Sequence, residues 1–335
     1  MKIILALIAF GFIIFIHELG HFYFAKRAGV TIHEFSIGMG PKLYQKTKNG
    51  TLYALRLFPI GGYVAMEGED EESNDPNSFG KKTIGQRLLS IIAGPLANII
   101  LCILLLIPVH MLLGVQTTTF EQVLPNSAAQ SAGLKRNDKI LAINGKNINS
   151  FDQLSQTTTL NKGKEMTIKY QRNSEIKTTK LKPKMLNGKY MIGIKPKMEK
   201  SYIKAPIKAI ESTYNTSKAM LEFLWKLITG QMSKSIVNNL AGPVGVVGMF
   251  SKAASDGIIY FMYLTAIISL NIGIFNLLPI PALDGWRILI LLIEAIRGGK
   301  KLPAKIEGAI NGGGLMVLLA LMIFITYKDI LRLFK

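Results

Sequence analysis

Apolar residues gather in four runs, 3–25, 88–115, 258–296 and 306–327. Each is long enough to cross a bilayer, which takes about 20 residues. The first opens like a signal peptide, with Lys2 before an apolar stretch. No small-residue cleavage site follows, and the run continues past His17, Glu18 and His21, which predicts a retained helix. The third run is too long for one simple helix. Asn276-Leu277-Leu278-Pro279-Ile280-Pro281 interrupts it, and two prolines remove backbone donors there. Broken backbone at membrane depth survives only where protein or water encloses it, so the break points to a site.

The polar stretches between the runs carry patterns of their own. Within 26–87, Leu52-Tyr53-Ala54-Leu55-Arg56-Leu57 and Gly61-Gly62-Tyr63-Val64-Ala65-Met66 predict a hairpin of two strands, followed by an acidic, flexible run over 67–77. The lysine-rich stretch 116–200 has the length of a small β domain. Residues 205–230 place Ile207, Ile210, Met220, Leu224 and Leu227 at helical spacing, predicting an amphipathic helix at an interface. The chain is thus expected to divide into 1–115 with two spans and the hairpin, a β domain at 116–200, interfacial helices at 201–257, and two last spans at 258–335.

Composition agrees with a membrane protein. Of 335 residues, 49% are hydrophobic and 18% charged, with a mean hydropathy of +0.30. Soluble proteins carry roughly 25% charged residues. The net charge of +19 could suggest nucleic acid. Spans hold few charges, however, so the excess sits on loops, where anionic lipid is the expected counterpart and nucleic acid is not. The single cysteine, Cys102, lies in an apolar run, which excludes an internal disulfide. Intrinsic disorder and a collagenous repeat are excluded as well.

Charge also predicts orientation. Arg297, Lys300, Lys301 and Lys305 mark the loop between the last two spans as cytosolic. Alternation then puts 26–87 inside, flanked by Lys26, Arg27, Lys81, Lys82 and Arg87, and the large domain outside. The basic tail of Lys328, Arg332 and Lys335 argues mildly the other way.

His17-Glu18-Leu19-Gly20-His21 carries the chemistry. Residues i and i+4 share one helix face, so two imidazoles can grip one zinc. Glu18 is turned aside, where its carboxylate can take a proton from an activated water. Three ionisable groups inside an apolar helix are costly and by default functional. A hydrolytic zinc needs a third ligand and an open fourth position. Asp284, in Pro279-Ile280-Pro281-Ala282-Leu283-Asp284-Gly285, is the candidate, against a plain role as N-cap of a helix starting at Gly285. Depth favours the ligand. From Lys2 at the outer surface to His17 is about 22 Å of helix, and 258–278, which also enters from outside, uses about 31 Å, so both reach the cytosolic side. His33 is expected to be solvated and His110 to lie near the outer end of its span, so neither is a metal candidate.

These residues resemble a known family. HELGH in the first run, the 276–285 segment NLLPIPALDG, and Gly94-Pro95-Leu96-Ala97-Asn98 are similar to motifs of the site-2 protease family of intramembrane zinc metalloproteases, most of all its bacterial regulator-of-sigma-E group. The resemblance spans nearly the whole chain. It implies a polytopic α-helical protein of the bacterial cytoplasmic membrane, with four transmembrane helices, the third broken. One Zn2+ would be held by His17, His21 and Asp284, with Glu18 as base. Asn271 and Asn276 would hold the substrate backbone or polarise its scissile carbonyl. The hairpin over 52–66 resembles the family's membrane-associated β-loop, whose edge at Tyr63 and Val64 could add an extended substrate as a strand. Val123 through Leu141 resembles a PDZ core with its Ala132-Gly133-Leu134 turn, implying one extracytosolic PDZ-like domain that filters substrates or binds a peptide end. The implied reaction is cleavage of single-span membrane proteins, anti-sigma factors or signal-peptide remnants, near the cytosolic face. A polytopic zinc-binding transporter or PDZ scaffold is the rival, and it would not require Glu18.

Overall fold

The structure is a computed structural model that describes residues 2–69, 71, 73–186, 189–231 and 242–333. Its elements run α1 (Lys2–Arg27), β1 (Ile32–Lys48), β2 (Thr51–Met66), a 3-10 turn (Phe79–Lys81), α2 (Ile84–Leu113), β3 (Val115–Val123), α3 (Ala128–Ser131), β4 (Lys139–Ile143), β5 (Lys146–Asn147), α4 (Phe151–Leu160), β6 (Met166–Arg172), β7 (Glu175–Leu181), β8 (Lys184–Leu186), β9 (Lys189–Met191), β10 (Ile194–Glu199), α5 (Lys204–Ile228), α6 (Pro243–Asp256), α7 (Ile258–Asn276), α8 (Asp284–Ile296) and α9 (Ala304–Leu333). Parts of the expectations lie outside the described residues: Asp70 and Glu72 of the acidic run, stretch 232–241 of the interfacial segment, and Lys335 of the tail.

The chain forms two compact units, Met1–Ile107 with Ala209–Lys335, and Pro108–Lys208. In the first, α1, α2, α7 and α9 are long and apolar enough to cross a membrane. The large apolar side chains that α9 leaves exposed, among them Met316, Val317 and Ile323, suit acyl chains and would be costly in water. The third apolar run breaks as its prolines require. Leu277 follows α7, Ala282 takes a left-handed φ of 72°, Leu283 is extended, and the helix resumes at Asp284, one residue before Gly285. Gly285 has to be glycine, because a Cβ there would sit 2.2 Å from the carbonyl oxygen of Leu278.

The expected hairpin over 52–66 does not form as such. Residues 51–66 are one long strand, β2, and its partner is β1, which the alternation had not revealed. Residues 34–37 pair with 62–65 and also with 52–55, so β1 lies between the two segments that had been expected to pair with each other. The tight turn is Asn49-Gly50, both at positive φ (51° and 79°), the pairing of residues that a two-residue hairpin favours. Phe35, Val64 and Met66 from this sheet pack with Ala25, Phe79, Ile91 and Leu291, fixing the sheet against α1, α2 and α8.

The described residues at either end of the acidic run are tied down rather than loose. Thr31 N–H donates to the Asn77 carbonyl at 3.1 Å and Phe79 N–H to that of Glu67 at 2.7 Å. Glu69 pairs with Arg287 of α8, and Lys301 donates to the Gly80 carbonyl at 2.7 Å. A bidentate pair, Arg87 with Glu294 at 2.5 and 3.0 Å, joins α2 to α8, with both residues buried. Deleting one partner of such a pair strands a buried charge, at a cost of about 3–5 kcal/mol.

The second unit is a small β domain. Its strands run β10-β3-β4-β6-β7, with β5 on β4, and β8 and β9 form a separate ribbon. Phe120, Ile140, Ile143, Met166 and Ile168 fill its core. Asp138, fully buried in the stretch resembling a PDZ turn, accepts from the Lys135 N–H at 2.7 Å and from the Arg172 guanidinium at 2.7 Å. The unit reaches back to Pro108 and on to Lys208, beyond the expected 116–200. Lys208 in the first turn of α5 donates to Asp152 at the start of α4, at 2.6 Å.

Candidate active site

His17 and His21 stand one turn apart on α1, both 8% exposed, their rings edge to face at 4.7 Å. Their Nε2 atoms are 3.1 Å apart. The break after α7 delivers Asp284, the first residue of α8, so that its Oδ2 lies 3.1 Å from His17 Nε2 and 3.4 Å from His21 Nε2. Asp284 makes no side-chain cap, and its Oδ2 is buried without a hydrogen-bond partner. The three facing atoms form a near-equilateral triangle. A tetrahedral ion with bonds of 2.0–2.1 Å requires ligand separations of about 3.3–3.4 Å. Two nitrogens and one oxygen are a donor set that suits zinc, so these residues fit the metal the sequence motifs imply. Among the described residues they are the one group of three that could hold an ion.

Small residues on α2 make this possible. A Cβ at Gly20 would lie 2.3 Å from the Ala93 carbonyl oxygen, and one at Gly94 would lie 2.2 Å from His21 Nε2 itself. Helices meet so closely in membranes where small residues face each other. That approach also brings the Ser90 carbonyl to 2.9 Å from His21 Nδ1. An N–H donated there leaves the lone pair on Nε2, facing Asp284.

The triangle opens on a cleft of about 760 Å³, whose lining includes Glu18, His33, Tyr63, Val64, Glu67 and Arg287. Gly62 of β2 passes so near Glu18 that a Cβ there would be 3.0 Å from its Cγ. The Tyr63 hydroxyl accepts from Arg56 at 2.6 Å, whereas the Val64 side chain is buried in the core. Asn271 and Asn276, both half-buried on α7, are not in the cleft lining.

His33 and Asn98, named in the sequence but given no role there, meet partners here. His33 is exposed at the cleft, and its Nε2 meets Glu67 Oε2 at 2.5 Å, while Ser73 donates its hydroxyl to the other carboxylate oxygen. The Ser73 hydroxyl and then His33 hold the Glu67 carboxyl below the usual range. Asn98, fully buried on α2, faces His17. None of these belongs to a dense motif of ligands. Only the complement of Arg287 to the acidic run, three residues after Asp284, offered a hint.

Membrane-length helices that bring two imidazoles and a carboxylate to one point define a membrane metalloenzyme. The chain belongs to peptidase family M50, the site-2 proteases, whose family model matches residues 5–321. It is a metalloprotease of the bacterial membrane, acting on membrane proteins within the bilayer. A Clostridium acetobutylicum protein, provisionally named a zinc metalloprotease, is 38% identical over 98% of this chain and 97% of its own length. The zinc metalloprotease RasP of Geobacillus kaustophilus is 32% identical over 99% and 98% respectively. Among solved structures, the PDZ domain of an SdrC-like protein from Listeria monocytogenes is 21% identical, covering 25% of this chain and 86% of that one, with a TM-score of 0.22.

Proposed function

We propose that His17, His21 and Asp284 hold a single zinc ion and that Glu18 serves as general base in hydrolysing a peptide bond inside the membrane. The convergence of His17 Nε2, His21 Nε2 and Asp284 Oδ2 within 3.4 Å carries this reading. Bound zinc supplies Lewis-acid activation of water and of the scissile carbonyl. Glu18, at the cleft beside the two histidines, takes the proton of the attacking water and returns it to the leaving amine. A transporter or scaffold that merely held zinc would have no use for a carboxylate there.

The substrate is a single-span membrane protein, an anti-sigma factor or a signal-peptide remnant, cut near the cytosolic face. The basic loops support that sidedness, with the domain at 116–200, PDZ-like by its resemblance, on the outer side as a filter. A helical substrate hides its carbonyls in i to i−4 hydrogen bonds and must be drawn out. Residues 62–65 pair with β1 along one edge, and Gly62 lies against Glu18, so the backbone of Tyr63 and Val64 is positioned to pair with an extended chain. Asn271 and Asn276 serve only a substrate that reaches past the cleft to α7.

Asp284→Asn tests the ligand set. An asparagine would cap a helix about as well as aspartate. Zinc affinity is expected to fall by more than the roughly 10–100-fold that losing a supporting partner costs. Wild-type metal content in the purified variant, measured by elemental analysis, overturns the assignment.

Substrate unwinding is tested from the other side. Gly or Pro near the cut site weakens a helix interior by roughly 1 and 3 kcal/mol. Each is expected to speed cleavage when it does not occupy the scissile bond itself. Equal rates for an all-leucine and a glycine-containing span, assayed side by side, count against unwinding while leaving the zinc reading standing.

A further inference from the structure

We infer that Asn98 is a positioning residue for the metal, the hydrogen-bond partner that holds His17 in the tautomer able to ligate. This rests on the assignment of His17 as a ligand. Asn98 is fully buried on α2, four residues after the glycine that admits His21. Its backbone carbonyl accepts the Ser269 hydroxyl at 2.9 Å, which links α2 to α7 at this position. Its amide Nδ2 lies 3.3 Å from His17 Nδ1, while its Oδ1 is buried with no hydrogen-bond partner.

These facts fit together through the chemistry of imidazole. A neutral ring has one N–H and one bare nitrogen, and the bond made by one nitrogen decides which is which. With Nδ2 donating to Nδ1, the proton of His17 sits on Nε2, where it can point at Asp284 Oδ2, 3.1 Å away. A ring in that tautomer cannot ligate through Nε2. Ligation needs a bare Nε2 and therefore a proton on Nδ1, which then needs an acceptor in a dry interior. Half a turn of the Asn98 amide presents Oδ1, the unpartnered atom, to that proton. His21 finds its equivalent in the Ser90 carbonyl, a fixed acceptor. His17 has instead an amide with a donor and an acceptor on one side chain, able to satisfy the ring in either state. Partners of this kind orient a ligating histidine, and losing one typically costs 10–100-fold in metal affinity.

The test uses the full chain in detergent, with zinc affinity read by competition against a chromogenic chelator, and thermal unfolding of the zinc-stripped proteins as the control for folding. Asn98→Leu keeps the branching of the side chain and removes both polar atoms. It is expected to bind zinc 10–100-fold more weakly while unfolding, when stripped, at the wild-type temperature. Asn98→Asp keeps the shape and the acceptor while removing the donor, and is expected to bind zinc at least as tightly as wild type. Both are compared with His17→Ala, which must lose zinc outright. If His17→Ala keeps its zinc, the ligand assignment and this inference both fall. If His17→Ala loses zinc while Asn98→Leu binds within about threefold of wild type, or Asn98→Asp binds more than tenfold more weakly than wild type, the inference alone falls. Should Asn98→Leu not fold, the smaller apolar Asn98→Val takes its place under the same threefold threshold.

Discussion

Glu18→Gln is expected to keep wild-type zinc and fold while losing peptide hydrolysis by about 10²–10⁴-fold, the range a positioned acid-base group contributes. Glutamine fills the same space on α1 beside Gly62 but cannot accept the water's proton. Glu18 is not one of the three residues that converge, so metal content should not follow the loss of rate. The assay is turnover of a purified substrate span in detergent, with zinc measured on the same sample. Substantial turnover by a zinc-loaded Glu18→Gln enzyme would remove Glu18 from the mechanism. Loss of zinc together with rate would make it a ligand or a structural support instead.

The second large effect is steric. Gly94→Ala adds one methyl carbon at a point 2.2 Å from His21 Nε2 and 2.5 Å from its Cε1, a separation no pair of unbonded atoms tolerates. Either the imidazole swings away or α2 backs off from α1, where Gly20 already lies against Ala93. Misplacing a catalytic group by about 1 Å can cost 10²-fold in rate, and here a proposed ligand is displaced as well. Zinc content and cleavage are both expected to collapse. Gly85→Ala, in the first turn of the same helix with open space around it, is the control, and there the better helix propensity of alanine should leave function intact. Wild-type zinc in the Gly94→Ala protein would mean that the helices separate easily and that their close approach has no part in building the site.

The site was legible in the sequence where its chemistry was concentrated. HELGH places three costly groups on two helical turns, and the prolines ahead of Asp284 declare a break whose only tolerable setting is an enclosed one. Depth along the two helices was enough to bring the halves together. The β1–β2 sheet was legible only in part. The alternation in 52–57 and 61–66 was real, but pairing depends on which strand comes to lie between, and that is a long-range choice. Asn49-Gly50 marks the turn, yet the segment before it, with Gly38, Gly40 and Pro41 among polar residues, lacks a clean alternating pattern. The partners of His33, Glu67 and Asn98 escaped for another reason. Each matters only through a neighbour distant in sequence, 34 residues for His33 with Glu67 and 81 for Asn98 with His17. The acidic run looked like a loose loop because composition registers charge and not the arginine that meets it. Arg287 supplies that meeting from α8.

The break between α7 and α8 also bears on how the protein is made. Synthesis proceeds from the N-terminus, so α1 and α2 enter the bilayer with two histidines and the proposed base long before Asp284 exists. At that stage the membrane holds two imidazoles with no carboxylate to close the triangle. The capacity to cut thus arrives only when the last third of the chain has been inserted and α8 has been locked to α2 by Arg87 and Glu294. On the proposed ligand set, a nascent copy, or one truncated before α8, lacks its third ligand and is expected not to cleave.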